Sequence, residues 1–148
     1  IRRFENEYKE DGQHYAIIFL DLDNFKNIND SYGHDGGDLV LRTFAQILLK
    51  LTRDADIVGR YGGEEFIVAL KYFNEDEIVK YILRLKSVFS SKLIAYKQHK
   101  ISVTFSAGIE LRSNVDNYQD TLNNADQRLY EAKETGRNKI VLPFCDPL

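Results

Sequence analysis

The sequence contains no methionine, no tryptophan, two prolines and a single cysteine, Cys145. One cysteine excludes an intrachain disulfide and fits a reducing compartment, so we expect a cytoplasmic location. No apolar run approaches the roughly 18 residues of a membrane span, and no signal-peptide pattern opens the chain. We expect no membrane contact by this domain, while anchoring of a longer parent protein stays open. The absence of methionine even at position 1 indicates a fragment of a longer product.

Strong charge of either sign is also lacking. The 148 residues carry a net charge of -3, with 43% apolar and 29% charged residues, which is the composition of an ordinary globular domain. Such a balance gives the chain no electrostatic reason to coat nucleic acid or an anionic membrane. We therefore expect no nucleic-acid partner, and a polyanionic ligand would need a few placed cations or a metal ion.

Hydrophobic periodicity predicts alternating strands and helices in a single domain over residues 1–148. Residues up to about 11 are interpreted as a charged lead-in, and Gly36 and Gly37 as a turn into the first clear helix. The predicted elements are a strand over 14–23, a helix over 38–51, hairpin strands over 56–61 and 65–72, a helix over 75–93, a strand over 101–111, a helix over 118–135 and a strand over 139–142. This alternation of strands and helices, with a hairpin inside it, predicts an α+β fold with a mixed sheet flanked by helices.

Two of these elements carry sharper expectations. Gly62 and Gly63 match a two-residue hairpin turn that needs positive φ, and Gly136 falls where a helix C′ cap belongs. The strand over 101–111 alternates, so we expect it to be half-buried. Its apolar face comprises Ile101, Val103, Phe105, Ala107, Ile109 and Leu111.

Acidic residues stand at the strand end and at the hairpin. A period of two places Asp21 on one face of the first strand, and a hairpin packed beside it would bring Glu64 close. Two carboxylates held together raise each other's pKa unless a cation joins them, and carboxylates with a backbone carbonyl suit Mg²⁺. The alternative interpretation is that these acids are solvated turn residues, as single acids after strands commonly are.

Four segments in this order resemble the GGDEF family of bacterial diguanylate cyclases. They are "LDLDNFKNINDSYGHDGGDLVL", "RYGGEEF", "SVTFSAGI" and "ADQRLYEAKETGRNKI", and the resemblance runs from about residue 2 to 142. It implies a nucleotide-cyclase or polymerase palm-like fold with a ferredoxin-like core and a mainly antiparallel sheet. The implied reaction joins two GTP molecules into cyclic di-GMP with release of two pyrophosphates, using Mg²⁺ or Mn²⁺ across a homodimer.

The resemblance also implies roles for individual residues. Asp21, the Leu22 carbonyl and Glu64 would bind metal, while Glu65 would be a further ligand or take part in removing the proton from the attacking 3′-hydroxyl. Which glutamate is the base stays open. The implied substrate contacts are Asn29 and Asp38 for guanine and Lys26, Lys133 and Arg137 for phosphate.

Each substrate contact also has a plainer explanation. Asp38 can accept from guanine N1–H and the 2-amino group, which favours GTP over ATP, but an acid near a helix start also suits the macrodipole. Lys133 and Arg137 share one helix face and its end, where cations complement the helix C-terminus. Lys26 would be unremarkable as a solvated lysine, although lysine commonly neutralises phosphate charge.

The stretch "RDAD" stands just before the hairpin. At this offset Arg53 and Asp56 resemble the family's RxxD site for product inhibition, in which arginine grips phosphate and guanine and aspartate reads a guanine edge. The alternative is a solvated turn, with Arg53 favoured by the end of the preceding helix. Arg84 on the following helix is a candidate for a secondary contact with cyclic di-GMP.

Two departures from the family pattern are visible. The wide-turn motif of the type D-x-L-T-G-L is absent before Ile1, and the hairpin reads GGEEF, which keeps the carboxylate. Two other functions compete with the cyclase. A silent domain would bind GTP or cyclic di-GMP as a signal without turnover, but such domains typically lose the hairpin acids. A cyclase acting on one nucleotide is disfavoured by the Asn29 and Asp38 pair and by the RxxD offset.

Overall fold

A computed structural model describes all residues from Ile1 to Leu148. The central strand follows directly from the apolar run after His14, since every residue of Tyr15–Leu22 is buried. The helices are α1 Arg2–Asp11, α2 Phe25–Leu51, α3 Glu75–Ser90 and α4 Tyr118–Glu134. The strands are β1 Tyr15–Leu22, β2 Ile57–Gly62, β3 Glu65–Lys71, β4 Ile94–Tyr96, β5 His99–Ile101, β6 Phe105–Leu111 and β7 Ile140–Val141, with a short 3₁₀ turn at Arg112–Asn114.

Five strands form one sheet in the order β2-β3-β1-β6-β7, and β4 pairs with β5 in a separate hairpin. All pairings in the main sheet are antiparallel except that of β6 with β7, which is parallel. This is the predicted α+β fold with a mixed, mainly antiparallel sheet flanked by helices. None of the four helices combines the length and the apolar character that crossing a membrane requires.

The alternation of β1 divides the core into two layers, as its period of two predicted. Ile18, Leu20 and Leu22 join a large cluster with residues of α2 and α3, including Phe44 and Ile82. On the opposite face, Tyr15, Ile17 and Phe19 pack with Phe4 of α1 and with Ala125 and Leu129 of α4. Asp21 continues this second face, so the end of β1 delivers its acid to the side of the sheet that carries α4.

Two expectations near the beginning of the chain were wrong. The supposed lead-in is helix α1, which buries Phe4 and ends at Gly12 with φ 71°. Helix α2 begins at Phe25 rather than at residue 38 and is kinked at Gly33, where φ is 76°, while Gly36 and Gly37 lie within the helix. Their lack of a side chain permits close approach, because a Cβ on Gly36 would lie 2.6 Å from Tyr32 Cβ.

The hairpin and β6 also differ from the prediction. Gly62 ends β2, so the turn consists of Gly63 and Glu64, and only Gly63 has positive φ, at 26°. Strand β6 begins at Phe105 rather than at residue 101, and Ile101 instead ends the small β4–β5 hairpin. The predicted apolar face of 101–111 lies in the large core cluster. The other face is buried as well, since α4 packs on Gly108, so the strand is not half-buried.

Candidate active site

A cleft of about 230 Å³ lies where β1 ends, beside the hairpin turn and the last turn of α4. It is polar, and it brings together residues from three separate parts of the sequence. Its lining residues are Asp21, Leu22, Asn24, Phe25, Lys26, Asn27, Glu64, Lys133 and Arg137. Six of the predicted site residues therefore share one cleft. Asn24 and Asn27 are neighbours that the sequence did not single out.

Asp21 is the buried acid of the cleft, with only 2% of its surface exposed. Its Oδ2 accepts a hydrogen bond from the Lys133 ammonium, and the two form an ion pair. The pKa of Asp21 is raised to about 6, chiefly by burial and to a smaller extent by the charges of Glu64 and Glu65, while Lys133 opposes the shift. A carboxyl with this pKa is incompletely compensated by the protein, and an added cation would hold it ionised.

The hairpin brings both glutamates to Asp21. Leu22 N–H donates to the Glu64 carbonyl over 3.3 Å, which seats the turn against the end of β1. Arg60 steadies the turn, since its Nε and Nη2 donate to the Gly63 carbonyl over 2.9 and 2.7 Å. In the register of β1 with β3, Asp21 stands opposite Glu65, so these two side chains share a face of the sheet. Glu64 lines the cleft, and Glu65 lies beside it.

The donor set suits a hard divalent cation. Asp21 and Glu64 supply carboxylates, and Leu22 lines the same cleft. No three or more His, Cys, Asp or Glu side chains cluster closely enough to enclose an ion. Mg²⁺ commonly binds in this way, through one or two carboxylates plus water and substrate phosphates rather than a complete protein cage. The residues and the raised pKa of Asp21 therefore fit Mg²⁺ or Mn²⁺.

Three cations also line the cleft: Lys26, Lys133 and Arg137. Arg137 sits just past the end of α4, where its N–H donates to the Ala132 carbonyl over 3.0 Å. Gly136, at the predicted C′ position, has φ 121°, so the helix ends as the sequence indicated. An anionic ligand in the cleft would thus meet three cations beside the acids.

The two residues expected to read guanine, Asn29 and Asp38, do not line this cleft. Asp38 borders a separate hollow of about 310 Å³ together with Arg42, Arg60 and apolar side chains. Asn29 packs against Gly37, the residue before Asp38, since a Cβ on Gly37 would lie 1.8 Å from Asn29 Oδ1. The kinked helix α2 therefore brings Asn29 and Asp38 together. Arg42 and Arg60 were not predicted as site residues, although Arg60 opens the "RYGGEEF" segment.

Arg53 and Asp56 bind each other in the structure. The Asp56 side chain is fully buried, and its Oδ2 accepts from Arg53 Nε over 2.7 Å. Oδ1 accepts from Arg53 Nη2 over 3.2 Å and from Lys71 N–H over 2.8 Å. Arg53 Nη2 also donates to the Lys71 carbonyl. The aspartate thus has partners for both oxygens, while the Arg53 side chain remains 55% exposed.

The exposed part of Arg53 borders a groove of about 340 Å³ between the end of α2 and α3. Arg84, predicted as a secondary contact, lies in the same groove, together with Lys80, Tyr81 and Glu77. Three cations and one acid give this surface a net positive character. The structure therefore places Arg53 and Arg84 on one surface, and Asp56 behind Arg53 rather than in the open groove.

Asp23 is a buried acid whose role the sequence did not reveal. It accepts from Thr104 Oγ1 and Ser106 Oγ, each over 2.6 Å, and from Asn138 N–H over 2.9 Å. Its three donors come from residues more than 80 positions away, so no local pattern announces them. Asp23 follows Asp21 on the same face of the chain, but its oxygens are already engaged.

The five-stranded sheet with helices on both faces and acids at the end of its central strand defines a palm-like α+β domain. A family model described as diguanylate cyclase, GGDEF domain, matches residues 2–139. The chain therefore belongs to the GGDEF domain family.

Individual relatives agree with this assignment. Diguanylate cyclase A of Treponema denticola is 39% identical over 138 residues, and the match covers 93% of this chain and 37% of that protein. The active GGEEF domain of a diguanylate cyclase from Vibrio cholerae superposes with a TM-score of 0.83 at 29% identity, covering 98% of this chain and 97% of that one. The GGDEF domain of DgcB from Caulobacter crescentus, in complex with c-di-GMP, gives 0.88 at 26% identity, covering 95% and 86%.

Proposed function

We propose that this domain is a diguanylate cyclase that condenses two GTP molecules into cyclic di-GMP and two pyrophosphates. The observation that carries the proposal is the cleft that Asp21 and Glu64 share with Lys26, Lys133 and Arg137. Membership of the GGDEF family supports the same reaction. Acids for a metal beside cations for phosphates are the groups that phosphoryl transfer to a nucleotide hydroxyl requires.

The cations hold and orient the triphosphate. Lys133 pairs with Asp21 in the structure, so a bound ligand that neutralises Asp21 frees the ammonium for phosphate. Arg137 offers a planar donor fork from the loop after α4, and Lys26 adds a third positive charge. Bound by Asp21, the Leu22 carbonyl and Glu64, Mg²⁺ or Mn²⁺ would supply Lewis-acid stabilisation of charge on the attacking oxygen and the α-phosphate.

Asp38 and Asn29 select the base in this proposal. The Asp38 carboxylate accepts from guanine N1–H and the 2-amino group, and Asn29 contributes a second polar contact from the other half of α2. Adenine offers no such donors, so its binding would leave the acid unpaired, at a cost on the order of 1 to 3 kcal/mol. GTP is therefore preferred over ATP.

The bond changes follow from the products. The 3′-oxygen of one GTP forms a bond to the α-phosphorus of the other, the bond from that phosphorus to pyrophosphate breaks, and the 3′-hydroxyl proton leaves. Glu64 and Glu65 are the proposed catalytic residues, because both stand beside Asp21 at the tip of the hairpin. One of the two accepts the proton, and the second cyclising step repeats the same chemistry.

A homodimer is needed because one domain offers one such cleft. Two domains facing each other would place the 3′-hydroxyl of each GTP near the α-phosphate of the other. Holding the two nucleotides in register lowers the barrier by removing translational and rotational entropy, up to roughly 7 to 11 kcal/mol in the best intramolecular cases. GTP is an intracellular nucleotide, so the reaction belongs on the cytoplasmic side of any membrane to which the parent protein is attached.

Cyclic di-GMP is also the proposed inhibitor, bound at the groove that Arg53 and Arg84 share. The solved structure of the related DgcB domain is a complex with c-di-GMP, which supports binding of the product by this family. In this chain Asp56 is buried and paired, so binding must either use Arg53 alone or open the Arg53–Asp56 pair. Arginine binds phosphate through two parallel N–H donors, which suits the phosphates of cyclic di-GMP.

The test is product identification by liquid chromatography and mass spectrometry after incubation with GTP and Mg²⁺. The domain is fused to a dimerising coiled coil, and the control carries Glu64→Ala and Glu65→Ala in the same fusion. We expect cyclic di-GMP from the parent alone. A folded parent fusion that forms no cyclic di-GMP at any concentration would contradict the cyclase and favour a binding domain that senses GTP or cyclic di-GMP.

A further inference from the structure

The loop after α4 has an unusual backbone. Three consecutive residues have positive φ: Gly136 at 121°, Arg137 at 61° and Asn138 at 48°. Residues with a side chain seldom adopt such angles, and two in succession persist only when their surroundings hold them. All three residues are exposed, so packing of their side chains does not explain the conformation.

Three polar contacts fix this loop. Arg137 N–H donates to the Ala132 carbonyl over 3.0 Å, which closes the end of the helix. Lys86 Nζ reaches the Asn138 carbonyl over 3.0 Å from α3. The third contact runs from Asn138 N–H to Asp23 Oδ2 over 2.9 Å. Because Asp23 is buried, with 4% exposure, this contact ties the loop to the interior of the sheet, just before the Lys139 carbonyl accepts from Ala107 N–H of β6 over 3.0 Å.

Asp23 is itself held firmly. Thr104 and Ser106 donate hydroxyl hydrogen bonds to its two oxygens, and Ser106 is completely buried at the start of β6. The Asp23 N–H donates to the Thr104 carbonyl over 2.9 Å, so backbone and side chain are both fixed. A carboxylate clamped in this way makes a rigid acceptor for the loop amide.

The position of Asp23 relates the loop to the acids of the cleft. Asp21 and Asp23 are two residues apart at the end of β1, and Arg137 is adjacent to the residue that Asp23 holds. We propose that Asp23 is a positioning residue for the triphosphate: it holds the Asn138 amide so that Arg137 lines the cleft that also contains Asp21. This inference rests on the proposed function, because the triphosphate of GTP is the group that Arg137 would bind.

The experiment begins without nucleotide. In the ¹H–¹⁵N spectrum of the free domain, the Asn138 amide should be protected from hydrogen exchange, and Asp23→Ala should remove that protection. Asp23→Asn keeps an oxygen acceptor and should retain part of it, which provides a second variant if the alanine variant folds poorly. Glu110→Gln changes another buried acid that does not contact the loop, so it should leave the Asn138 amide unchanged. An Asn138 amide that is equally protected in all variants would overturn the proposal.

Binding is measured next with guanosine 5′-(α,β-methylene)triphosphate and with GMP. Asp23→Ala should weaken triphosphate binding about tenfold, the scale of one charge-assisted contact, with a smaller effect on GMP. In an Arg137→Ala background the same substitution should add little, since Asp23 acts through Arg137. An equal loss in both backgrounds would contradict the positioning role. Failure of the unsubstituted domain to bind the triphosphate would instead refute the proposed function and the positioning role with it, while the exchange data would still report the link between Asp23 and the loop.

Discussion

Asp21 and Glu110 are two carboxylates with the same exposure, 2%, on the face of the sheet that α4 covers. Each has one cation from α4: Lys133 pairs with Asp21, and Arg128 pairs with Glu110 over 2.8 Å. Glu110 has further donors, because the Asn114 and Asn124 amides and the Leu111 N–H also reach its oxygens. Asp21 has Lys133 alone and two glutamates nearby.

The pKa values of the two acids respond in opposite directions. Burial alone would raise the pKa of Glu110, but hydrogen bonds from Arg128, Asn124 and Asn114 hold it below its ordinary value. Burial raises the pKa of Asp21, and its single lysine partner does not reverse the shift. A buried acid with all its partners supplied by the protein stabilises the fold, whereas one left partly uncompensated is suited to an external cation.

The largest effect on both acids is expected from a displacement of α4, because this helix supplies Lys133 to Asp21 and Arg128 to Glu110. A Cβ on Gly108 would lie 2.1 Å from Leu129 N and 2.2 Å from the Ala125 carbonyl oxygen, both of which are backbone atoms. We expect Gly108→Ala to lower the free energy of unfolding by more than about 4 kcal/mol or to prevent folding, since neither atom can move without the helix. Urea denaturation measures the loss.

Gly59→Ala is the matched control for Gly108→Ala. Its Cβ would lie 3.3 Å from the Ile67 side chain, which can adjust by a few tenths of an ångström. We expect a loss of about 1 kcal/mol or less. Equal losses for the two glycine variants would show that contact with α4 is not what requires glycine at Gly108.

Removing the structural acid is the next largest change. Glu110→Ala leaves the Arg128 guanidinium and three neutral donors without their acceptor, so we expect a loss of about 3 kcal/mol in the free energy of unfolding. Product formation per folded molecule should stay within about threefold of the parent, because Glu110 is remote from the cleft in the contacts it makes. Denaturation and a rate assay on the same preparation measure both quantities. A large loss of cyclic di-GMP formation by folded Glu110→Ala would contradict a purely structural role for Glu110, in contrast to Asp21.

A third acid, Asp56, sharpens the comparison because its partner Arg53 is also the proposed product ligand. We expect Arg53→Ala to weaken cyclic di-GMP binding by about tenfold or more, the scale of a lost charge-assisted pair. Calorimetric titration measures the affinity. Arg84 lines the same groove, and its removal leaves Asp56 paired with Arg53. Arg84→Ala should therefore weaken cyclic di-GMP binding less than Arg53→Ala does. Product binding by Arg53→Ala as tight as the parent's would dispose of the inhibitory site.

The smallest expected effect is the contribution of Glu110 to the pH dependence of the free energy of unfolding. Its folded pKa lies below the ordinary value of 4.5, so the unfolded chain takes up its proton first as pH falls. The stabilisation is therefore complete above pH 4.5 and is lost as pH falls through the folded pKa. Urea denaturation from about pH 6 downward should show a steeper loss for the parent than for Glu110→Gln. Parallel profiles for the two proteins would contradict the assigned pKa shift.

Sequence periodicity predicted the fold well where elements bury a face. The alternation of β1 gave both core layers, because period two leaves no freedom in which side chains face α4. Helix α1 was missed because only Phe4 and Glu5 among its residues are buried, which leaves little hydrophobic pattern. Gly36 and Gly37 were misinterpreted for a related reason: glycine serves both turns and close helix contacts, and the sequence does not distinguish them.

The residues that line the cleft were predicted more completely than the residues that hold them in place. Asp21, Glu64, Lys133 and Arg137 could be named from the motifs, although they converge only through tertiary structure. Asp23 could not be assigned, because its partners at Thr104, Ser106 and Asn138 come from distant segments. The pairing of Arg53 with Asp56 was likewise invisible, since RxxD spacing does not reveal whether the aspartate is buried.

The central claim is that Asp21 serves catalysis and Glu110 serves the fold. The most direct measurement determines cyclic di-GMP formation and the free energy of unfolding for Asp21→Asn and Glu110→Gln in the same dimerised fusion. The account predicts that Asp21→Asn loses activity by about 10³-fold with a stability change within about 1 kcal/mol, and that Glu110→Gln loses stability but keeps its rate per folded molecule. Near-parental cyclic di-GMP formation by Asp21→Asn would contradict it.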